Sequence, residues 1–215
     1  MPTLLRNGQT ILFIGDSITD CGRRDSNAPL GWGYVKLFSD LLAIREPARR
    51  VTIINKGISG YRVVDLADRW TDDCLRHRPD HLSIKIGIND LHRTLNMTPE
   101  AVPVEKFEEV YDLILARTRE ALPKCRILLI DPFYISADTA GPSFRNEVLK
   151  LLPRYIQVVH EMSRKYGTCL VRTHGMFGRL IRHHDPDLFC PEPVHPNLTG
   201  HLAIAEAVYQ ALSEG

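Results

Sequence analysis

The sequence lacks three things: an excess of charge of either sign, paired cysteines and long apolar runs. Its 215 residues hold 27 Lys and Arg against 26 Asp and Glu, and no basic stripe that would suit a nucleic-acid partner. The five cysteines are widely spaced without a C-x-x-C pair, which argues against a disulfide framework or a zinc ribbon. The first apolar run, Ile11–Ile14, is too short for a signal segment or a membrane span. We therefore expect a cytoplasmic protein with reduced thiols, no nucleic-acid partner and no membrane partner.

The composition is that of an ordinary globular chain, with 44% hydrophobic and 25% charged residues. The sequence contains no internal repeat, no low-complexity tract and no linker long enough to divide it. A chain of this length suits one sizeable core, so we expect a single domain over residues 1–215. Nothing in the composition excludes a homo-oligomer.

Five short, β-branched apolar runs do not alternate with polar residues, as is typical of strands buried on both faces of a parallel sheet. They are Thr10–Ile14, Val51–Ile54, Leu82–Ile86, Ile127–Ile130 and Cys169–Val171. Helix-period segments lie between and after them, at Val104–Leu122, Asn146–Tyr166 and Leu198–Leu212. Pro153 is expected to kink or divide the second of these helices. The stretches Asn96–Pro103 and Ser136–Pro142 read as loops.

This alternation predicts an α/β fold, a three-layer α/β/α sandwich around a five-stranded parallel sheet. In such sheets functional residues collect beyond the carboxyl ends of the strands. Polar motifs that contain glycine follow the first three predicted strands, and a fourth motif precedes the last helix. These motifs are Gly15-Asp16-Ser17, Asn55 to Gly60, Gly87-Ile88-Asn89-Asp90 and Val194-His195-Pro196.

These four motifs, in this order, resemble the blocks of the SGNH hydrolases, also called GDSL-type esterases. The resemblance runs from about residue 10 to the end of the chain. The extended motifs Ile14 to Asp20 and Asn55 to Gly60 are most similar to those of bacterial carbohydrate acetylesterases. The resemblance implies a flavodoxin-like sheet and a serine esterase that acts on small acyl groups, with acetyl on a sugar as the favoured substrate. It implies no cofactor and no metal.

The implied chemistry gives each residue a role. Ser17 is the expected nucleophile and His195 its general base, because a serine hydroxyl is a poor nucleophile until an imidazole can take its proton. The resemblance supplies the oxyanion hole from the backbone N–H groups of Ser17 and Gly60 and from the side-chain amide of Asn89. The loss of one such donor typically lowers turnover by about 100- to 1,000-fold. A structural alternative, in which Ser17 only caps a helix, stays open.

The orienting acid is the point where the chain departs from the family. The family pattern is Asp-x-x-His, whereas this chain reads Glu192-Pro193-Val194-His195. Glutamate can orient a catalytic imidazole, but its extra methylene requires a different rotamer. We expect Glu192 to be the third member of the triad. A backbone carbonyl or the carboxylate of Asp187 is the alternative.

Five further residues are candidate substrate contacts, and each also has a structural interpretation. Asp16 could instead tie down the turn at the nucleophile, and Asp90 could be scaffold. Trp32 and Tyr34 could form an aromatic pocket wall or belong to the core, and His92 follows Asn89 closely enough to line a pocket.

Other functions remain open at this stage. A short-chain thioesterase or a lysophospholipase would use the same residues. A metal-dependent phosphoesterase would use Asp16, Asn89, Asp90 and histidines around an ion. The pair His183 and His184 is better explained as a solvated loop. A non-catalytic binding module of flavodoxin-like shape is the third alternative.

Overall fold

A computed structural model describes residues 2–136 and 141–213 of the chain. Five parallel strands form one sheet in the order β2-β1-β3-β4-β5, which confirms the predicted five-stranded parallel sheet. The strands are β1 (Thr10–Gly15), β2 (Thr52–Asn55), β3 (His81–Lys85), β4 (Arg126–Ile130) and β5 (Cys169–Val171). Each begins and ends within one residue of a predicted run.

Helices cover both sides of the sheet, as predicted. They are α1 (Ser17–Asp20), α2 (Tyr34–Arg45), α3 (Val63–Asp68), α4 (Trp70–Asp73), α5 (Ile88–Leu95), α6 (Val104–Ala121), α7 (Phe144–Tyr166), α8 (Thr173–Leu180) and α9 (Leu198–Ala211). Short 3₁₀ turns lie at Leu75–His77 and Pro186–Leu188. Within residues 2–136 and 141–213 no helix has the length and apolar character needed to cross a membrane.

The helices pack in two groups. Helix α2 packs on α9, while α6 contacts both α3 and α7, and α5 also packs on α7. The buried residues of α6 recur at the spacing of one helical face, which explains why its periodicity was readable: Phe107, Val110, Tyr111, Ile114 and Leu115. The five shortest helices (α1, α3, α4, α5 and α8) and α2 carried no such signal in the sequence.

Helix α7 runs through Pro153 as a single element from its cap at Ser143 to Gly167. The predicted division of this helix at Pro153 is therefore wrong, while the alternative, a kink, stays a prediction. A proline in a helix interior costs about 3 kcal/mol. The buried face of α7 offsets that cost, since each fully buried apolar side chain contributes about 1.5–3 kcal/mol. That face consists of Val148, Leu152, Tyr155, Val158, Val159 and Met162.

The predicted loop Asn96–Pro103 joins α5 to α6 without a helix or strand. Of the other predicted loop, residues 137–140 lie outside the described residues.

The strand order places a topological switch point between β1 and β3. From β1 the chain goes to β2 on one side and then returns to pair β3 with β1 on the other. In open α/β sheets the crevice beyond the carboxyl ends of the strands at such a point is where ligands bind. Gly15 is in register with Lys85, and Lys85 with Ile130, so the central strands end at the same level.

His81, the first residue of β3, makes a prediction about acid stability. Its side chain is buried, and Nδ1 has no hydrogen-bond partner among the described residues. Burial lowers the pKa of His81 from 6.5 to about 4. Between pH 6.5 and about 4, His81 is therefore protonated in the unfolded chain but neutral in the folded chain. The free energy of unfolding consequently decreases as the pH falls through this range.

We predict that wild type loses about 2 kcal/mol more stability than His81→Gln when the pH is lowered from 8 to 5, since one pKa unit is worth 1.36 kcal/mol. Urea unfolding of both proteins at the two pH values measures this difference. His183→Gln, at an exposed position, is the matched control. An equal loss in wild type and His81→Gln would contradict the prediction.

Candidate active site

Ser17 follows Asp16, the residue after β1, and is the first residue of α1. The carboxylate of Asp16 caps this helix, and its Oδ1 accepts the backbone N–H of Ile18 at 3.0 Å. Ser17 is thus the first helical residue rather than the cap, and its hydroxyl is left free for another partner. Gly15 makes the close packing of this turn feasible, since a Cβ there would lie 2.2 Å from the carbonyl oxygen of Lys85.

His195 reaches Ser17 from the other end of the chain. It lies just before α9, whose first turn is capped by Asn197 through a hydrogen bond from the backbone N–H of Gly200. The Nε2 atom of His195 is 2.9 Å from Ser17 Oγ. This is hydrogen-bond distance between a hydroxyl and an imidazole that could take its proton.

Glu192 holds the other side of the imidazole. Its Oε1 contacts Nδ1 of His195 and also accepts the backbone N–H of His195 at 2.8 Å, while Oε2 accepts the N–H of Val194 at 3.2 Å. The longer glutamate side chain therefore folds back onto its own turn, which places the carboxylate at the ring. Among the described residues, the carboxylate of Asp187 has no hydrogen bond to this ring.

The loop after β2 is hydrogen-bonded to the residues on either side of Ser17. The backbone N–H of Ile58 donates to the carbonyl of Gly15 at 3.0 Å. Ser59 donates through both its backbone N–H and its hydroxyl to Asp20 Oδ2, each at 3.0 Å. Asp20 is buried, so it serves as scaffold that sets the position of Gly60.

The motif after β3, Gly87 to Asp90, is hydrogen-bonded to the same segment after β2. Asn89 Nδ2 donates to the carbonyl of Tyr61 at 3.0 Å, and the backbone N–H of Val63 donates to Asp90 Oδ1 at 2.9 Å. Tyr61 follows Gly60 directly, so the side chain of Asn89 is tied to the residue beside that glycine.

These contacts leave donors available at the site. Among the described residues, the backbone N–H groups of Ser17 and Gly60 donate to no protein acceptor. Asn89 uses one amide hydrogen on Tyr61, and its second is free for another acceptor. Gly60 has a φ of +80°, a conformation that glycine adopts readily.

Three of the expected substrate contacts lie in the interior of the structure. Asp16 and Asp90 are 0% exposed, as is Tyr34, whose hydroxyl is hydrogen-bonded to Thr19 Oγ1 at 3.0 Å. Burial raises the pKa of Asp90 to about 8. In this structure the side chains of Asp16, Tyr34 and Asp90 are hydrogen-bonded within the turns beneath the site.

The other two candidates are accessible. Trp32 is 43% exposed, and its ring meets the edge of His201 with centroids 4.9 Å apart. His92 is half-buried, with its ring 5.9 Å from that of Tyr134 and 5.4 Å from that of Phe144. Burial lowers the pKa of His92, which favours the neutral imidazole.

His201 is a buried histidine that the sequence analysis missed. Its Nδ1 accepts the backbone N–H of Tyr34 at 3.2 Å, and its Nε2 is 3.4 Å from Cys21 Sγ. Burial lowers its pKa to about 3, so it joins α9 to the start of α2 as a neutral ring. Its position one turn before Ile204, on the buried face of the predicted last helix, was the available signal.

Lys85 was also missed. It is 0% exposed and lies 3.8 Å from Asp16 through its Nζ. A lysine inside the apolar run Leu82–Ile86 was the signal, because lysine is almost never fully buried without a partner.

The described residues contain no group of three or more His, Cys, Asp or Glu side chains placed to hold a metal ion. Asp16 faces Lys85, and Asp90 accepts from Val63. His183 and His184 are exposed. All five cysteines are free thiols.

The arrangement suits acyl transfer. A serine hydroxyl contacts an imidazole, a carboxylate contacts that imidazole on the far side, and unpaired donors lie on adjoining loops. A nucleophile, a base, an orienting group and oxyanion donors are the parts that this reaction needs.

Residues 13–203 match the model of the GDSL-like lipase/acylhydrolase family. The acetylxylan esterase of Geobacillus stearothermophilus is 34% identical over 209 residues, which cover 94% of this chain and 92% of that relative.

Solved structures also show similarity to esterases and hydrolases over nearly the whole chain. The crystal structure of the Geobacillus stearothermophilus enzyme, Axe2, has a TM-score of 0.85 at 32% identity, over 98% of this chain and 97% of that one. LAE5, an alpha/beta hydrolase enzyme from the metagenome of Lake Arreo, also has a TM-score of 0.85 at 32% identity, over 97% and 96%. Two further Axe2 structures are of catalytic mutants, with alanine replacing a serine in one and an aspartate in the other.

Proposed function

The chain belongs to the GDSL-like lipase/acylhydrolase family, and from this premise we propose that it is a serine esterase in which Ser17, His195 and Glu192 form the catalytic triad. That it is a carboxylic ester hydrolase follows from the family and from its similarity to an acetylxylan esterase. The assignment of residues rests above all on the 2.9 Å contact between Ser17 Oγ and His195 Nε2.

The proposed reaction proceeds through an acyl-enzyme. Ser17 Oγ attacks the acyl carbonyl while its proton passes to His195 Nε2. The tetrahedral oxyanion accepts hydrogen bonds from the N–H groups of Ser17 and Gly60 and from the amide of Asn89. His195 then protonates the departing alkoxide, and the C–O bond to it breaks. In the second half, His195 takes a proton from water, which attacks the acyl carbonyl. The C–O bond to Ser17 then breaks as His195 returns the proton to Ser17 Oγ, which releases the carboxylic acid and restores the serine hydroxyl.

Glu192 is proposed to orient the imidazole. Its contact with Nδ1 keeps the ring in the tautomer whose Nε2 can accept the proton of Ser17. The catalytic mutants of Axe2 support the assignment, because the serine and aspartate replaced there are separated by nearly the same length of chain as Ser17 and Glu192.

The proposed substrate is a small acyl ester, with acetyl on a carbohydrate favoured. Similarity to an acetylxylan esterase supports this choice. So does the openness of the site, since the side chains of His195 and Glu192 are 57% and 51% exposed. Sites that recognise a long acyl chain enclose most of it, whereas an exposed triad can act on a small group carried by a large acceptor.

We predict that Ser17→Ala lowers ester hydrolysis by at least about 10⁴-fold, because no other described hydroxyl contacts His195. The measurement is kcat/KM on p-nitrophenyl acetate, with melting temperature to establish that the variant folds. An organophosphorus serine reagent should label wild type at Ser17, as located by peptide mass.

Near-normal turnover by folded Ser17→Ala would overturn the proposal. Loss of activity on chelation would favour a metal-dependent phosphoesterase, and absence of both turnover and labelling would favour a binding module.

A second prediction separates the roles of acid and base. His195→Ala should cost more than Glu192→Ala, by a factor on the order of 100, because the ring remains able to accept a proton when only its orienting group is removed. Asp187→Ala is the matched control, and its kcat should equal that of wild type. Equal losses from Glu192→Ala and Asp187→Ala would remove Glu192 from the triad.

The third prediction concerns the acyl group. Among p-nitrophenyl esters from acetate to octanoate, kcat/KM should be highest for acetate, and acetylated xylo-oligosaccharides should be deacetylated. Preference for octanoate, for acyl thioesters or for lysophospholipids would replace the substrate assignment while leaving the triad intact.

A further inference from the structure

A buried ion pair lies beneath the nucleophile turn. Lys85 is the last residue of β3 and Asp16 follows the end of β1, and both side chains are 0% exposed. Lys85 Nζ lies 3.8 Å from Asp16 Oδ2, and neither atom has a hydrogen-bond partner among the described residues. The interaction is therefore mainly one of charge, acting away from water where it is weakly screened.

The strand order sets this position. β3 lies between β1 and β4, and Lys85 is in register with Gly15 on one side and Ile130 on the other. Asp16 and Asp131 each follow one of those residues. Phe133 adds a ring whose centroid is 4.9 Å from Lys85 Nζ.

The groups around the pair are mostly neutral near pH 7. Burial raises the pKa of Cys21 and of Cys190 to about 12 and that of Asp90 to about 8, and it lowers that of His201 to about 3. Burial also lowers the pKa of Lys85 itself, against the opposing charge of Asp16. The titratable groups facing the pair are Cys21, Tyr34, Asp90, Asp131, Cys190 and His201.

Asp131 is the other carboxylate beside Lys85, and it has its own partners. Its Oδ2 lies 2.9 Å from His160 Nε2, and its Oδ1 accepts from the hydroxyl of Thr173 at 2.8 Å and from the backbone of His174 at 3.2 Å. Within the part of the chain that the structure describes, the carboxylate of Asp16 contacts only the N–H of Ile18 and the ammonium of Lys85. The ammonium is thus the main compensation for the charge of Asp16.

Stability alone does not explain this pair. Buried ion pairs are often no better for stability than apolar side chains of similar volume, because both charges must be removed from water. An apolar residue at position 85 and an asparagine at position 16 would fill the same space. The placement of the pair directly beneath Ser17 points to a role at the site.

We propose that Lys85 is a positioning residue for the nucleophile, an inference that rests on the proposed role of Ser17. Lys85 places a positive charge beside the buried carboxylate of Asp16. An ionised carboxylate is the stronger acceptor for the N–H of Ile18, and that hydrogen bond fixes the turn from which Ser17 Oγ faces His195. Without the ammonium, a buried carboxylate takes up a proton and the turn loosens.

The test uses three variants: Lys85→Met, Asp16→Asn and the double variant. Lys85→Met keeps the approximate length of the side chain and removes its charge. Rates are divided by the concentration of sites that the organophosphorus reagent titrates, so that misfolded protein is not counted. For Lys85→Met we expect kcat on p-nitrophenyl acetate to fall by about 10- to 100-fold at pH 7, with KM little changed.

The pH profile is the readout that a purely structural role would not move. In Lys85→Met, the acid limb of kcat should shift upward by about one pH unit or more, because a buried carboxylate that lacks a compensating positive charge holds its proton more strongly. The double variant lacks that carboxylate, so its acid limb should return to the wild-type position while kcat stays below wild type. His81→Gln, four residues earlier on β3, is the matched control and should leave kcat and its pH profile unchanged at temperatures where it is folded.

Wild-type kcat per titrated site in Lys85→Met, or a reduced kcat without a shifted acid limb, would overturn the positioning role. If Lys85→Met does not fold, the double variant decides, and wild-type kcat there would refute the inference. Failure of the proposed function looks different, because Ser17→Ala would then retain turnover and Ser17 would not be labelled.

Discussion

The hydrogen bond from the backbone N–H of Ile18 to the carboxylate of Asp16 spans 3.0 Å, and the geometry at Ser17 depends on it. This bond caps α1 in place of the serine hydroxyl, so that Ser17 Oγ can face His195. An acidic cap needs its charge compensated when it is buried, and Lys85 supplies that compensation from the neighbouring strand. The central strands therefore supply both the scaffold of the nucleophile turn and its electrostatics.

The loops above the sheet are fixed by the same means. Asn55 donates to the carbonyls of Thr19 and Leu30 at 2.6 and 2.8 Å, and Asp20 accepts from Ser59. These side chains are buried, and a buried polar group that loses its partner costs about 1–3 kcal/mol. Each loop is consequently held to its neighbour by hydrogen bonds that are costly to break, which keeps the proposed oxyanion donors on adjoining loops in place without a ligand.

The sequence predicted the strands to within one residue because buried parallel strands are short, apolar and β-branched, and that pattern is local. It predicted α6 and α7 for a similar reason, since their apolar positions recur with helical periodicity, and it predicted α9 from the Pro196–Asn197 turn before it. Helix α1 could not be found this way, because four residues are too few to show a period.

Within the site, ordered motifs identified Ser17 and His195, and the structure places them in contact. The motifs could not show that Asp16, Tyr34 and Asp90 point inward, because side-chain direction depends on packing that a motif does not encode. Lys85 was overlooked because the significance of a single charge in an apolar run depends on its partner across the sheet.

The exposure of Glu192 limits how it can act. A charge pair between half-exposed groups is screened by water and contributes at most about 1 kcal/mol, so in the proposed triad attraction between Glu192 and a protonated His195 would be a weak source of catalysis. Orientation is the stronger contribution in that proposal, because two backbone N–H groups of its own turn fix the carboxylate of Glu192 against the imidazole. The substitution of glutamate for aspartate is tolerable for that reason. The turn, rather than side-chain length alone, determines where the carboxylate of Glu192 meets the ring of His195. The buried charges of Lys85 and Asp16 are screened far less, and they fix the turn that carries Ser17.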